Sequence, residues 1–307
     1  MDTQNLKAFV AVADHQSFSA AAEQLHITQP AISKRIHLLE QQLDSLLFDR
    51  VGRQVTLTEA GRTLLPHARA VLDTMRVARQ AIADLSGEVR GQLKLVTSHH
   101  IGLHRLPQIL REYSEQYPQV ELDIRFLDSA EAYAAVLHGD FDLGIITEMP
   151  AEDAQICSET LWVDHMHFVT ARQHPLSRLS QVSLQDISQY PALLPEKRFF
   201  TTKLVEELFI RNGLDIQINL STNFLETIKA LISVGYAWGV LPDTMLQDDS
   251  LAQLTVVTQD KAPAITLHRN LDCIYHRQRQ LSNASKAFLE LLRQRADKPA
   301  QTPTEAG

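Results

Sequence analysis

Cysteine is scarce in this chain, with only Cys157 and Cys273 among 307 residues. The two are far apart in sequence and form no CxxC pair, so neither a zinc ribbon nor a dithiol redox motif is expected. Each reads as a buried small hydrophobe. No run of roughly 18 apolar residues is present to span a bilayer, and no membrane partner is expected. The N-terminus has no basic segment followed by an apolar one, which points to a cytoplasmic location. A Gly-rich phosphate loop, a GxSxG turn and an HExxH helix are all missing, so no enzyme class is indicated. Positive charge is also in deficit, at 29 Lys and Arg against 37 Asp and Glu, for a net charge of −8. Such a balance argues against indiscriminate binding of nucleic acid, which needs local cations to neutralise phosphates. The deficit is confined, however: residues 1–90 hold ten basic and ten acidic residues, and the whole excess of acid lies beyond them.

At this length and with 44% hydrophobic residues, the chain can bury one or two sizeable cores, and about two domains are expected. Four segments are read: an N-terminal domain at 1–60, a linker helix at 61–90, a C-terminal domain at 91–295 and a loose polar tail at 296–307. The richest text is SFSAAAEQLHITQPAISKRIHLLEQQ, from Ser17 to Gln42. Ser19 to Leu25 reads as a short helix with Ala21, Ala22 and Leu25 placed for close packing. The chain restarts at Thr28-Gln29-Pro30, where Thr28 is suited to cap free backbone donors and Pro30 fits the first turn. In the second helix Ile32, Ile36, Leu39 and Leu43 form a buried stripe, leaving Gln29, Ser33, Lys34 and His37 on the other side. Amides, hydroxyls and ammonium groups are the types that read base edges and grip phosphates in a major groove. Upstream, Leu6, Phe9, Val10, Val12 and Ala13 give a covering helix. Downstream, Phe48 to Leu57 reads as a β-hairpin wing with Gly52 at its tip and Arg50 and Arg53 beside it.

Residues 3–62 resemble the winged-helix domain of LysR-type transcriptional regulators. The carrying motifs are FxxVA at Phe9 to Ala13, SFSxAAxxLxxTQPAxSxxIxxLE at Ser17 to Glu40, LFxR at Leu47 to Arg50 and LTxAG at Leu57 to Gly61. The resemblance implies a sequence-specific regulator that contacts double-stranded operator DNA of dyad symmetry through Thr28, Gln29, Pro30, Ser33, Lys34, Arg35, Arg50 and Arg53. RNA polymerase is a further expected partner.

From Thr58, a helix cap followed by Glu59, the sequence stays helical to Leu85, and Ser86-Gly87 stops it. Leu64, Ala68, Val71, Met75, Ala78, Ile82 and Leu85 recur in a strict heptad, the narrow stripe of a coiled-coil partner, and Pro66 is expected to bend the helix or loosen one backbone bond. The family resemblance implies that this helix builds a homodimer, with further assembly to a homotetramer.

Beyond it, Gln92 to Thr97, Val120 to Leu127 and Leu143 to Thr147 read as strands, alternating with helices at Leu106 to Tyr117 and Ala130 to His138 across a break at Ser98 to Gly102. A second unit follows, with strands at Trp162 to Ala171, Ile216 to Leu220, Trp238 to Pro242 and Leu267 to His276. Its helices are Lys203 to Asn212, Phe224 to Val234 and a closing Asn283 to Arg295. Alternation of this kind predicts a mostly parallel α/β sheet with ligands beyond the strand ends. Gly91-Gln92-Leu93, Leu106-Pro107, HGDFDLGI from His138 and VGYAWGVLP from Val234 are similar to the family's effector-binding domain. That similarity implies a two-lobed fold like type 2 periplasmic binding proteins, with an effector between the lobes. Thr97, Ser98, His99, His100, Ser129, Thr201, Thr202 and Asn223 are the expected contacts, each set at a strand end or helix start. Hydroxyls and helix N-termini there suit a small organic anion or an amino-acid-like metabolite. His100 and His104 stand at helical i, i+4 spacing and His165 and His167 alternate on a strand. With no cysteine near either pair, neither a metal nor another cofactor is expected.

Overall fold

A computed structural model describes residues 2–51, 54–85, 87–147, 153–258 and 264–296. The wing residues Gly52 and Arg53, the helix stop at Ser86 and the expected tail from Asp297 lie outside the described residues. Contacts divide the chain into two units, Met1–Val89 with His138–Asp140, and Arg90–Leu137 with Phe141–Gly307.

In the first unit, α1 (Thr3–His15), α2 (Phe18–Gln24) and α3 (Gln29–Leu43) enclose a core of Phe9, Val12, Ala21, Ile32, Ile36 and Leu39. Asp2 starts α1 by accepting from Gln4 N at 3.1 Å, and Ser17 starts α2 by accepting from Ala20 N at 3.3 Å. The tight break between α2 and α3 puts His26 in the left-handed region at φ 51°. Thr28 occupies the cap position of α3, but its side chain makes no capping hydrogen bond, contrary to the expectation from sequence. The hairpin β1 (Phe48–Val51) and β2 (Gln54–Leu57) follows, with Arg50 paired to Val55. Glu40 ties the hairpin back to α3 by accepting from Leu47 N at 2.9 Å.

The linker helix α4 (Glu59–Asp84) runs unbroken through Pro66. Thr58 caps it as expected: its hydroxyl accepts from Gly61 N at 3.0 Å and donates to Leu46 O at 2.7 Å. Gly61 is required by close approach, since a Cβ at this position would lie 2.2 Å from Leu47 O and 2.8 Å from Leu57 Cδ2.

The second unit is two-lobed. Its strands and helices are β3 (Gly91–Thr97), α5 (His99–His104), α6 (Pro107–Gln116), β4 (Val120–Phe126), α7 (Ser129–His138), β5 (Leu143–Thr147), β6 (Ile156–Ala171), β7 (Val182–Ser183), α8 (Leu184–Ser188), β8 (Ala192–Leu194), α9 (Phe200–Arg211), β9 (Ile218–Ser221), α10 (Leu225–Ser233), β10 (Gly239–Pro242), β11 (Leu251–Gln253), β12 (Val256–Val257), β13 (Leu267–His276) and α11 (Asn283–Arg295). The main sheet has the order β10-β6-β13-β5-β3-β4, with β11 also on β6. Pairings β4-β3 and β3-β5 are parallel, whereas β5-β13, β13-β6, β6-β10 and β6-β11 are antiparallel. The main sheet is therefore mixed and not mostly parallel: its parallel pairings are confined to β4-β3-β5, while the second lobe has its parallel pairs, β7-β12 and β8-β9, in two small sheets of their own. The correction comes from β6, which begins at Ile156 and not Trp162, and runs 16 residues beside β13.

These two long strands connect the lobes. Leu161, Trp162, Leu271 and Cys273 enter the core of the first lobe, while Met166, Phe168 and Leu267 enter that of the second. Cys273 is buried and Cys157 only half-buried, both as free thiols. The strand register places them on adjacent strands, Cys157 opposite Tyr275 and Cys273 opposite Glu159. The expected break at Ser98 to Gly102 is instead the start of α5, because the strand ends at Thr97 and Ser98 is already the cap position of the helix.

Gly61→Ala is expected to lower the stability of the full chain by about 1–3 kcal/mol through overpacking, although alanine ordinarily favours a helix. Urea unfolding followed by circular dichroism measures this, and an unchanged midpoint would show that the α4 contact yields without cost.

Candidate functional site

In the first unit, α3 presents one polar surface. Thr28, Gln29, Pro30, Lys34 and His37 are exposed, Ser33 and Arg35 are half-buried, and Ile32, Ile36 and Leu39 are buried beneath them. The Gln29 amide donates to Ser33 Oγ at 3.1 Å, so both side chains hold one orientation on the open face. The linker stripe divides along its length. Ala68 is buried and Leu64 packs against the same winged-helix core, so these two positions serve their own domain. Val71, Ile82 and Leu85 remain 44%, 71% and 86% exposed, with Ala78 exposed and Met75 half-buried.

The second unit contains a cavity of about 710 Å³ between its lobes. Ser98, His99, His100 and Ser129 line it from the first lobe, and Thr201 and Asn223 from the second. The expected residues Thr97 and Thr202 are not part of its lining. Thr97 Oγ1 donates to Ile145 O at 3.1 Å and Thr202 Oγ1 to Pro195 O at 2.8 Å, so both hydroxyls are spent on backbone within the lobes. Ser129 is the first residue of α7 and accepts from Thr147 N at 3.1 Å, while the capping role falls to Asp128, which accepts from Glu131 N at 2.9 Å. Thr201 and Thr202 stand inside α9, which starts three residues before Lys203, and do not precede it. Asn223 does not cap α10. Phe224 holds that position, and the Asn223 amide donates to Glu196 Oε1 at 3.2 Å, fixing the loop before α9.

Several lining residues were not identified from sequence. Phe126 and Phe224, each 53% exposed, face His99 edge-on from opposite lobes, at ring-centre distances of 5.9 and 5.4 Å. Arg198, Lys203 and Arg269 supply cationic groups. Arg198 pairs with Asp128 at 2.6 Å across the lobes and with Glu196 at 3.1 Å. Lys203, by contrast, has no ion-pair partner among the described residues. α9 and α10 start at the cavity with no side-chain cap, so their first backbone N–H groups are open on that side.

Beneath the cavity lies Asp164, with no solvent exposure. It faces Arg269 across β6 and β13, receiving Nη2 at 2.9 Å and Nε at 3.2 Å, and receives Arg105 Nη2 at 2.9 Å. Arg269 also donates to Thr201 Oγ1 at 3.1 Å. Burial opposes ionisation of Asp164, but neighbouring His100, Arg269 and Arg105 outweigh it and hold the carboxyl well below the usual carboxylate range. His100 sits 3.6 Å from the same carboxylate, and burial lowers its pKa despite that attraction. No helix among the described residues is long and apolar enough to cross a membrane.

Residues 3–62 match the family described as bacterial regulatory helix-turn-helix protein, lysR family, and residues 86–297 match the LysR substrate binding domain. The chain is 61% identical over 107 residues to an uncharacterized HTH-type transcriptional regulator in the ibpB-leuC intergenic region of Azotobacter vinelandii, covering 35% of this chain and 74% of that one. It is 30% identical over 287 residues to the uncharacterized HTH-type transcriptional regulator YeiE of Escherichia coli K12, covering 94% and 95% of the two chains. Among solved structures, CbnR, a LysR family transcriptional regulator, aligns with a TM-score of 0.69 at 21% identity over 97% of this chain and 100% of that one. Full-length CbnR complexed with its target DNA aligns with a TM-score of 0.69 at 22% identity over 96% and 100%.

Asp164→Asn is expected to destabilise the chain by about 3–5 kcal/mol, since it leaves Arg269 buried without its counter-charge. Urea unfolding of the second unit's tryptophan signal reads this directly, and a wild-type midpoint would mean that solvent replaces the lost carboxylate.

Proposed function

This chain belongs to the LysR family of helix-turn-helix transcriptional regulators, and from that membership we propose that it reads an operator through α3 and answers to a small organic anion held between the lobes. It is a DNA-binding regulator and not an enzyme. Gln29, Ser33 and Lys34 are the base-reading candidates, with Thr28, Pro30 and Arg35 supporting contacts to phosphate and Arg50 and Arg53 reaching DNA from the wing. The polar, solvent-facing surface of α3 over a rigid apolar stripe supports this reading. Dimerisation through the open part of the linker stripe, from Val71 to Leu85, would present two such helices to an operator of dyad symmetry. Assembly into a tetramer and a contact with RNA polymerase belong to the same proposal.

The observation that carries the effector reading is the Lys203 ammonium, without an ion-pair partner among the described residues, at a cavity onto which two helix N-termini without side-chain caps open. Backbone N–H groups, helix dipoles and the Lys203 ammonium favour a negative group. Phe126 and Phe224, which line the same cavity on either side of His99, give it apolar surface, so the remainder of the ligand is expected to be largely hydrocarbon. Arg198 and Asp128 already bridge the lobes at the rim, and a ligand that prefers the closed arrangement would shift the lobe equilibrium by its differential affinity.

Gln29→Ala is expected to cost about 1–3 kcal/mol in operator binding and to relax discrimination at one base position. Mobility shifts with the upstream intergenic DNA and its single-base variants measure both effects, and unchanged affinity would remove Gln29 from base reading. For the effector, a panel of small carboxylates is screened by thermal shift on the full chain. A ligand at 100 times its dissociation constant adds about 2.7 kcal/mol of stability. Lys203→Ala should weaken the binding of any such hit by about 1.5–3 kcal/mol. Equal stabilisation of the variant and the wild type would place the anion elsewhere.

A further inference from the structure

α5 and α10 belong to different lobes, and where they meet, three groups with unused lone pairs converge. His100 is buried and, among the described residues, neither of its ring nitrogens has a hydrogen-bond partner; Glu226 Oε2 is likewise buried and without one. His104 stands one helical turn from His100, with the ring centres 4.8 Å apart, and its Nε2 lies 3.2 Å from Glu226 Oε1. One ligand atom from each of the three residues falls within 4.8 Å of the other two. An ordinary ion pair accounts for His104 and Glu226, but leaves the buried His100 imidazole beside them with nothing closer than the Asp164 carboxylate at 3.6 Å.

We propose that His100, His104 and Glu226 bind a divalent transition-metal ion, zinc foremost, that bridges the two lobes beside the cavity. Two imidazoles and one carboxylate suit borderline ions, whereas magnesium and calcium require oxygen ligands throughout. Ligand atoms about 2.0–2.1 Å from a tetrahedral ion stand roughly 3.4 Å apart, so the triad needs to draw in by a small motion of α10 toward α5. Asp164, 3.6 Å from His100 Nε2, is the outer carboxylate that orients a ligating imidazole. Three protein ligands leave a fourth position open. The sequence offered only the His100 and His104 pair, because Glu226 lies 122 residues further along the chain. The site goes beyond the anion reading and does not require it.

The test uses the full chain, stripped with a chelator, titrated with Co(II) and then with Zn(II). Wild type is expected to bind one Co(II) per chain with the ligand-field absorption of a four-coordinate ion, and Zn(II) to abolish that absorption. His104→Gln and Glu226→Gln change partly exposed side chains that the core does not need. Circular dichroism checks that both variants fold, and each should weaken Co(II) binding by more than about tenfold, the least that loss of a direct ligand is expected to cost. A control, His165→Gln with His268→Gln, removes the exposed histidines that face each other across β6 and β13 and should leave the titration unchanged. No saturable Co(II) signal in wild type, wild-type affinity in either ligand variant, or loss of the signal in the control would each overturn the site. These readouts are independent of whether any organic anion binds.

Discussion

The regulatory unit depends on one buried carboxylate. Asp164 stands where β6 and β13 pass from one lobe core to the other, and its desolvation would be prohibitive without the two guanidinium groups that meet it. The same interaction arranges the surroundings. Arg105 ties the end of α5 to the crossover, and Arg269 reaches onward to Thr201 at the start of α9. A single ionic cluster thus fixes a helix from each lobe relative to the strands that join them. It also consumes Arg269 as a free charge, which is why Lys203 and the open helix termini are left to supply positive potential in the cavity.

The DNA-binding unit rests on a different constraint, that of close approach. Three short helices cannot bury much surface, so backbone must come near backbone: Gly61 lies against Leu47 O, and Ala21 and Ala22 are buried between helices. Glu40 and Thr58 then bond the backbone at Leu47 and Leu46, fastening the wing to both α3 and α4. With the apolar stripe of α3 held this way, Gln29 and Lys34 are kept at the surface by geometry and not by their own preference. The linker helix shares the economy. Its heptad looks uniform in sequence, yet Leu64 and Ala68 are spent on the wing domain, and exposed apolar surface begins at Val71.

The two lobes meet through weak contacts as well as the strong one beneath them. Arg198 with Asp128 and His104 with Glu226 are exposed or half-exposed pairs, which solvent screens, so that each contributes little. Weak rims over a rigid pair of strands permit lobe motion without loss of the fold. That is the mechanical requirement for a regulator whose ligand state is to be felt at a distance.

The sequence by itself determined the helices of the helix-turn-helix and the linker, because each is specified locally by 3.6-residue periodicity, by the cap at Thr58 and by the heptad, and it offered the wing strands as a hairpin between Phe48 and Leu57. It also determined the first three parallel strands, two by alternation and Leu143–Thr147 as a short apolar run, signals that are local in the same way. It could not determine the path of β6 and β13. An antiparallel strand of 16 residues that serves two cores carries no signature separating it from a shorter strand serving one. From this one non-local pairing follow the meeting of Asp164 with Arg269 and the adjacency of Cys157 and Cys273. Convergence of the lobes likewise brings Glu226 to His104. Hydroxyls at helix starts were legible as a pattern, but which of them turn to solvent was not. Thr97 and Thr202 bond nearby carbonyls and Ser98 does not line up to cap its helix, a choice made by packing around each side chain. Local chemistry is written residue by residue, whereas contacts over a hundred positions apart exist only once the chain has closed on itself.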